Sequence, residues 1–326
     1  MTFSQNPISS SLKRFAELPA DRSLALLFPG QGSQKVGMGR ESHRALKTAR
    51  EIFEYADSIL GEDLSGVCFE GPESELTRTA NAQPAILTTS VALFAASIES
   101  GALDHRPAVL AGHSLGEYTA LVVASAISFE DALRLVRERG RLMEEAGKRT
   151  PGTMAAVVGL VEAEVQEICA ASGAEPSNFN SATQIVVGGL PEAVERACAL
   201  AKERGGRCLP MNVAGAFHTS LMTATAHEFK SVLDGVPAQD PEIPLMSNVT
   251  AREMTTASEC IPDLAQQIRS PVLWRQSITG MQKSGVEKFT EIGPGRALIT
   301  MLKRDAPNAT LVSLDGPAVL ATPTNV

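Results

Sequence analysis

The chain has 326 residues, of which 44% are hydrophobic and 20% are charged, the balance of a globular protein with a substantial core. Its formal net charge of −8 argues against general nucleic-acid binding, because a phosphate-binding surface normally carries a basic excess. The longest apolar runs, such as residues 24–28, are far too short to cross a bilayer, so we expect neither nucleic acid nor a membrane as a partner.

The N-terminal segment and the cysteines indicate the compartment. Residues 1–20 contain no long apolar stretch, which predicts a flexible extension and not a secretory signal. The five cysteines are odd in number, widely spaced and without a Cys-x-x-Cys pair. This pattern predicts reduced thiols, and neither a disulfide framework nor a zinc site. We expect a cytoplasmic protein that needs no metal or other cofactor, or a plastid protein if the organism has plastids.

Short buried strands alternate with helix-length segments along most of the chain, which indicates an α/β fold with a parallel sheet. The strand at 24–28 runs directly into a tight glycine-containing loop at 29–34. The other strands predicted for this sheet lie at 107–111, 245–248 and 286–292, and a helix is predicted at 117–126.

The stretch from 152 to 214 has a different pattern, with the order β-α-β-β-α-β of a ferredoxin-like unit. Its predicted strands are 153–159, 176–180, 184–188 and 207–213, and its predicted helices are 162–171 and 191–203. The expected division is a flexible extension at 1–20, a large α/β catalytic domain at 21–150 and 215–314, a ferredoxin-like subdomain inserted at 151–214, and a C-terminal tail at 315–326.

Residues 112–116 read Gly-His-Ser-Leu-Gly between a predicted strand and a predicted helix. This arrangement is the nucleophile elbow, in which the two glycines permit a sharp turn that lifts the serine to the end of the sheet. The helix N-terminus behind the turn offers free N–H groups to a developing oxyanion. A chance match is the alternative, since the chain has 26 glycines. The pattern makes Ser114 the candidate nucleophile.

A serine nucleophile needs a base, and histidine is the usual one. His218 follows a predicted strand and lies in a loop of small residues, where an exposed catalytic side chain is expected. A structural role for a lone histidine is the alternative. His113 adjoins the serine, and we expect its side chain to point away from the Ser114 hydroxyl. The three other histidines lie in polar helical segments or in a loop.

The helix predicted from Phe129 carries one arginine on its apolar face. At 100° per residue, Arg139 falls on the same stripe as Val136 and Met143, whereas its neighbouring arginines project to the opposite side. A buried ion pair or a side chain that reaches back to solvent is one interpretation. The other is a guanidinium presented in a pocket to a carboxylate ligand. Arg139 therefore points to an acidic acyl substrate without proving one.

The glycine-rich loop at 28–39 does not fit a nucleotide-binding motif. The third glycine of a dinucleotide fingerprint would fall at Lys35, and Met38 stands where a P-loop needs lysine. The loop better suits backbone N–H groups that approach a reacting carbonyl, with Gln31 as the donor. A plain turn between strand and helix is the alternative.

Taken together, these segments resemble the malonyl-CoA:acyl carrier protein transacylase family over residues 24–305. The segments that carry the resemblance are 28–34, 112–118, 137–143, 215–222, 247–249, 271–274 and 292–295. The resemblance implies an α/β-hydrolase-like large domain with a ferredoxin-like insert, malonyl-CoA and acyl carrier protein as partners, and a role in fatty-acid synthesis.

The resemblance also implies residue roles in a ping-pong reaction. Ser114 would take the malonyl group with His218 as general base, and Arg139 would bind the malonyl carboxylate. The N–H groups of Gln31 and Leu115 would form the oxyanion hole. The malonyl-serine ester would then be attacked by the phosphopantetheine thiol of the carrier protein.

Three further residues are assigned by the same resemblance. Some relatives have glutamine where this chain has Leu273, and the backbone carbonyl at that position orients the catalytic histidine, so Leu273 is expected to do so here. Phe217 resembles the residue of malonyl-selective relatives, whereas methylmalonyl-selective ones tend to have serine, and His113 is expected beside it in the substrate site.

Three other functions compete with this one. A serine thioesterase or hydrolase would form the same acyl-serine and pass it to water, but no acidic third member of a triad is evident. A transacylase that loads polyketide synthase carriers in trans would differ only in its carrier. A carrier-binding module without activity conflicts with the presence of both Ser114 and His218.

Overall fold

The structure is a computed structural model and describes residues 6–320. Its strands are β1 (Ala20–Phe28), β2 (Arg106–Gly112), β3 (Thr153–Val158), β4 (Glu175–Ser181), β5 (Gln184–Gly189), β6 (Arg207–Pro210), β7 (Leu245–Met246), β8 (Glu253–Met254), β9 (Lys288–Ile292) and β10 (Thr310–Leu314). Its helices are α1 (Ser9–Ala16), α2 (Arg40–Ala45), α3 (Lys47–Leu60), α4 (Leu64–Glu70), α5 (Glu73–Leu76), α6 (Thr79–Ser100), α7 (Gly116–Val123), α8 (Phe129–Arg149), α9 (Glu162–Ser172), α10 (Pro191–Glu203), α11 (Thr223–Leu233), α12 (Ala257–Gln267), α13 (Trp274–Lys283), α14 (Ala297–Asp305) and α15 (Gly316–Leu320).

The larger sheet has six strands in the order β10-β9-β1-β2-β7-β8. Every neighbouring pair is parallel except β7–β8 at one edge. The sheet is buried on both faces, which explains the continuous apolar run at the end of β1. Leu26 and Phe28 belong to the core on one face, and Ala25 and Leu27 belong to the core on the other. The sequence correctly predicted this parallel α/β layer.

The smaller sheet is antiparallel, with strands in the order β4-β5-β3-β6. Numbered within the unit, this is the order 4-1-3-2 of a ferredoxin-like β-α-β-β-α-β fold, as expected. Backbone hydrogen bonds join this unit to the segment between α12 and α13. The Val272 N–H donates to the Ser177 carbonyl, and the Phe179 N–H donates to the Val272 carbonyl. The subdomain boundaries at 151 and 214 bracket all six elements and stay a prediction.

The N-terminal and C-terminal segments contain helices where a flexible extension and a tail were expected. Helix α1 packs through Phe15, whose ring lies edge-on to that of Phe94 in α6 with centroids 4.9 Å apart. Ile8 and Phe15 are both buried, so the expectation of a flexible segment is wrong for this helix. At the other end α15 buries Val319. Residues 1–5 and 321–326, which complete the two expected segments, lie outside the described residues.

The prediction that the cysteines are all reduced is also wrong. Cys198 in α10 and Cys208 in β6 form a disulfide, with their Cα atoms 5.3 Å apart. The two elements pack side by side in the small subdomain, a proximity that the spacing of the cysteines along the chain does not reveal. Cys68, Cys169 and Cys260 are buried free thiols. Across residues 6–320, no helix has both the length and the apolar character needed to cross a membrane.

Candidate active site

Ser114 stands on a strained turn between β2 and α7. Its φ angle is +51°, in the left-handed region that residues with a side chain rarely adopt. Both flanking glycines are required by close backbone contacts. A Cβ at Gly112 would lie 1.9 Å from the Gly116 carbonyl carbon, and one at Gly116 would lie 2.0 Å from the Phe28 carbonyl oxygen. The turn therefore has the geometry of a nucleophile elbow.

Asn248 holds this turn from the neighbouring segment after β7. Its Oδ1 accepts a hydrogen bond from the Ser114 backbone N–H at 2.7 Å, and its Nδ2 donates to the Gly112 carbonyl at 2.7 Å. The side chain is buried, so both bonds are shielded from water. The sequence motif at 247–249 contained this residue but did not indicate what it does.

His218 lies against the nucleophile, as predicted from its loop. Its Nε2 is 2.8 Å from Ser114 Oγ, and its own backbone is also strained, with a φ of +60°. The backbone N–H of His218 donates to the Ile268 carbonyl, which holds the loop against the end of α12. The two candidate catalytic residues thus meet although they lie 104 positions apart in the chain.

The carbonyl that orients His218 is that of Gln267, and the expectation of Leu273 is wrong. His218 Nδ1 lies 2.7 Å from the Gln267 backbone oxygen. Gln267 is the last residue of α12, so its carbonyl has no partner within the helix. Leu273 instead precedes α13, and its carbonyl accepts from the N–H and the Oγ of Ser277. Because a carbonyl only accepts, Nδ1 carries the proton and Nε2 faces the serine hydroxyl as an acceptor.

Burial and a neighbouring cation keep His218 neutral. Desolvation, and then the positive charge of Arg139, lower the pKa of His218 to about 3. An imidazole with so low a pKa is unprotonated at neutral pH and is ready to accept the proton of Ser114.

Arg139 is the most unusual side chain of the site, since it is 1% exposed and has no carboxylate partner among the described ion pairs. Nη1 donates to Gln83 Oε1 at 2.9 Å, and Nη2 donates to Gln267 Oε1 at 2.8 Å and to Ser114 Oγ at 3.0 Å. The guanidinium also lies 5.5 Å from the centre of the Tyr118 ring. The ion pair and the solvent-reaching side chain considered from the sequence are both excluded, and a buried cation remains beside the nucleophile.

The local sequence explains why Arg139 is placed there. Helix α8 begins at a Ser128 cap whose Oγ accepts from the Asp131 N–H at 3.0 Å. This start fixes the phase of the helix, so that Val136 and Met143 are buried on the same face as the arginine. Arg141 lies on the opposite face and pairs with exposed acids.

Two backbone N–H groups are available for an oxyanion. Among the hydrogen bonds of residues 6–320, neither the Gln31 nor the Leu115 N–H donates to an acceptor. The two loops touch because Gly30 has no side chain, and a Cβ there would lie 2.3 Å from the His113 carbonyl oxygen. The expected oxyanion role of Gln31 and Leu115 is thus compatible with their surroundings and stays a prediction.

The nucleophile opens into a cleft of about 490 Å³ between the two sheets. Phe217 and His113 both line it, as the resemblance implied. His113 Nε2 pairs with Asn180 Oδ1 at 2.9 Å and its ring packs near Trp274, so its side chain is turned away from the Ser114 hydroxyl as expected. Burial lowers the pKa of His113, and a neutral ring therefore faces the cleft.

No motif pointed to Gln267, yet it contacts all three predicted residues. Its Nε2 donates to the Ser114 carbonyl at 3.0 Å, its Oε1 accepts from Arg139, and its backbone oxygen holds His218. The only sequence signal is a glutamine at the end of the helix face that buries Cys260, Asp263 and Leu264. Within residues 6–320, no cluster of three or more histidine, cysteine or acidic side chains could hold a metal ion.

The chain matches the family model described as an acyl transferase domain over residues 25–314. It is 41% identical to the malonyl CoA-acyl carrier protein transacylase of Bacillus subtilis strain 168, over 91% of this chain and 95% of that one. The solved malonyl-CoA:acyl carrier protein transacylase of Xanthomonas oryzae is 39% identical, with a TM-score of 0.88 over 92% and 97% of the two chains. A malonyl-transacylase solved in complex with a type II polyketide synthase acyl-carrier protein is 36% identical, with a TM-score of 0.87 over 92% and 98%. The chain therefore belongs to the malonyl-CoA:acyl carrier protein transacylase family.

Proposed function

We propose that this enzyme transfers the malonyl group of malonyl-CoA to the phosphopantetheine thiol of an acyl carrier protein through a malonyl ester on Ser114. One observation carries the proposal: Ser114 Oγ lies 2.8 Å from His218 Nε2 and 3.0 Å from Arg139 Nη2. In a malonyl thioester a single methylene separates the reacting carbonyl from the carboxylate. A cation that binds this carboxylate must therefore lie within a few ångströms of the nucleophile, as Arg139 does.

The first half-reaction forms the ester. Ser114 Oγ attacks the thioester carbonyl while His218 Nε2 takes its proton, and the N–H groups of Gln31 and Leu115 stabilise the oxyanion. The tetrahedral intermediate collapses when its carbon–sulfur bond breaks, and His218 returns the proton to the leaving thiol of coenzyme A.

The second half-reaction uses the same groups in reverse. His218 removes the proton of the carrier thiol, the sulfur attacks the ester carbonyl, and Ser114 leaves with that proton. The cleft of about 490 Å³ has room for a pantetheine arm and the malonyl group. Arg139 holds the carboxylate through both steps, so the acyl group keeps its orientation while the thiols exchange.

Transfer of isotopically labelled malonyl groups tests this proposal. Incubation with malonyl-CoA should add one malonyl mass to the wild-type protein, and later addition of a holo-carrier protein should remove it with stoichiometric appearance of malonyl-carrier. Ser114→Ala should show no adduct, and a persisting adduct would place the nucleophile elsewhere. Rapid loss of the adduct to water, with no gain from the carrier, would identify a thioesterase.

The identity of the carrier is a separate arm of the experiment. A fatty-acid carrier is our expectation, and a polyketide carrier is the second candidate because one relative was solved with such a protein. Comparing kcat/KM for the two holo-carriers decides between them. The cytoplasmic location expected from the sequence belongs to the same proposal, and fractionation of the source cells tests it.

A further inference from the structure

Two buried acids lie behind the site and take no part in the reaction proposed above. Glu117 in α7 is completely buried, and Asp263 in α12 is 9% exposed. Each uses one oxygen for a clear hydrogen bond. Gln267 Nε2 donates to Glu117 Oε2 at 2.5 Å, and Ser247 Oγ donates to Asp263 Oδ1 at 2.6 Å.

The remaining oxygens indicate that the two acids share a proton. Glu117 Oε1 and Asp263 Oδ2 are buried and have no donor when both groups are counted as carboxylates. The two carboxyl groups lie within hydrogen-bonding reach of each other. A buried acceptor without a donor is costly, and two carboxylates so close repel each other. One proton between the two oxygens removes both penalties. Burial raises the pKa of both acids, and that of Glu117 lies well above its ordinary value because of burial and then the Asp263 charge. Glu117 is completely buried whereas Asp263 is 9% exposed, so Glu117 is the acid that holds the proton.

The amide of Gln267 has one orientation in this arrangement. Its two N–H bonds go to Glu117 Oε2 and to the Ser114 carbonyl, and its oxygen therefore faces Arg139 Nη2 at 2.8 Å. A continuous chain of hydrogen bonds thus runs from the Asp263 carboxylate through neutral Glu117 and neutral Gln267 to the Arg139 cation. Hydrogen bonds in such a chain polarise and strengthen one another in a low-dielectric interior.

This series of hydrogen bonds satisfies two opposing requirements, the stability of a buried cation and its availability to the substrate. A buried guanidinium needs a counter-charge, but a carboxylate in direct contact would occupy the donors that the substrate's carboxylate needs. The negative charge on Asp263 stands two neutral groups away from Arg139. It stabilises the cation from a distance, and the guanidinium itself donates only to neutral groups, which bind it less strongly than a carboxylate would.

We propose that Glu117 is a positioning residue that acts as an uncharged carboxylic acid, donating its proton to Asp263 and fixing Gln267 so that Arg139 is held for an anionic acyl group. The readout with malonyl-CoA rests on the proposed function, whereas the protonation of Glu117 can be measured independently of it. The alternative is that Glu117 is an anion that balances Arg139 directly.

Glu117→Gln separates these alternatives, because glutamine reproduces the donor and the acceptor of the neutral acid but cannot be charged. We expect its kcat/KM for malonyl transfer to stay within about threefold of the wild type. Glu117→Leu, which keeps the volume but loses both bonds, should raise the KM for malonyl-CoA at least about tenfold and that for acetyl-CoA much less. A loss of more than about tenfold in Glu117→Gln, or a normal KM in a folded Glu117→Leu variant, would overturn the proposal.

The second readout is the infrared difference spectrum between the wild type and each variant. The wild type should show the C=O stretch of a buried protonated carboxyl group, and Glu117→Gln should lack it. Glu291→Gln is the matched control, because Glu291 is the other acid that is completely buried among residues 6–320, and burial raises its pKa to about 7. Recording at pH 8.5 ionises Glu291, so the Glu117 band should persist in this control.

If the band survives Glu117→Gln, Glu117 is not the protonated acid. A wild type without malonyl transfer would refute the proposed function while the infrared result still decides the state of Glu117.

Discussion

Nη2 of Arg139 lies 3.0 Å from Oγ of Ser114, so that a fully buried cation touches the group that becomes acylated. This contact is the basis of the acyl specificity that we propose. Arg139 lies in the middle of α8 between the buried Val136 and Met143, so water is kept away from its guanidinium.

Arg139→Ala is expected to lower kcat/KM for malonyl-CoA by roughly 100-fold. Charge-assisted hydrogen bonds to the malonyl carboxylate contribute about 3 kcal/mol in total, and 1.4 kcal/mol corresponds to a factor of ten. Acetyl-CoA has no carboxylate, so its kcat/KM should change far less. Steady-state assays with both thioesters measure this difference. Arg141→Ala is the control, since Arg141 lies on the same helix but pairs only with exposed acids. Equal losses for the two substrates would contradict the carboxylate-binding role.

Asn248→Ala should destabilise the protein and slow acylation. The substitution removes the partners of the Ser114 N–H and the Gly112 carbonyl, and a buried unsatisfied group costs about 1–3 kcal/mol. We expect the free energy of unfolding to fall by about 2 kcal/mol, together with a roughly tenfold slower burst of ester formation because the elbow is less well held. Urea denaturation and rapid-quench mass spectrometry measure the two effects. Asn308→Ala, at an exposed position, should change neither. A normal burst in a destabilised variant would show that Asn248 serves the fold alone.

The parts of this site that were predicted from sequence share a local origin. Ser114 lies in a turn motif whose two glycines cannot be replaced, because a Cβ at either position would collide with the backbone. Arg139 can be placed from the phase of one helix. The β-α-β-β-α-β order likewise follows from the succession of short elements. In each case, the residues of one short segment of sequence are enough to determine the local geometry.

Gln267 could not be found in this way because its role depends on tertiary contacts. Its side chain reaches Ser114 across 153 positions, and its carbonyl can meet His218 only because α12 ends there and the carbonyl has no acceptor role left within the helix. The nearest segment that carries the family resemblance is 271–274, which does not include Gln267, and the glutamine of some relatives is matched there to Leu273. The same reason explains the disulfide, since Cys198 and Cys208 meet through helix–strand packing.

Phe217→Ser is expected to widen acyl specificity. Phe217 is 5% exposed and lines the cleft next to His218. We expect its ring to fill the space that an α-methyl branch of the substrate would need. One methyl group is worth about 1–3 kcal/mol of discrimination, so the ratio of kcat/KM for methylmalonyl-CoA over malonyl-CoA should rise about tenfold. Competition between the two thioesters, followed by mass spectrometry of the carrier product, measures the ratio. Met211→Ser removes apolar bulk from the exposed mouth of the same cleft and should leave it unchanged. An unchanged ratio in Phe217→Ser would show that the ring does not select the acyl group.

The rate of acylation should not fall near pH 6.5, where an ordinary catalytic histidine becomes protonated. The base must be neutral, and burial with the Arg139 charge lowers the pKa of His218 to about 3 from an ordinary value near 6.5. Activity should therefore stay level from pH 7 to about pH 5 and decline only below that. The stability effect has a defined sign: between pH 6.5 and 3 the unfolded chain binds a proton at this position that the folded protein does not, so the histidine makes folding less favourable as the pH falls through this window. Initial rates with acetyl-CoA isolate the histidine, because that substrate has no carboxylate to titrate. A limb with a midpoint near 6.5 would mean that His218 is solvated in the working enzyme and that the Arg139 charge no longer lowers its pKa when the cleft is occupied.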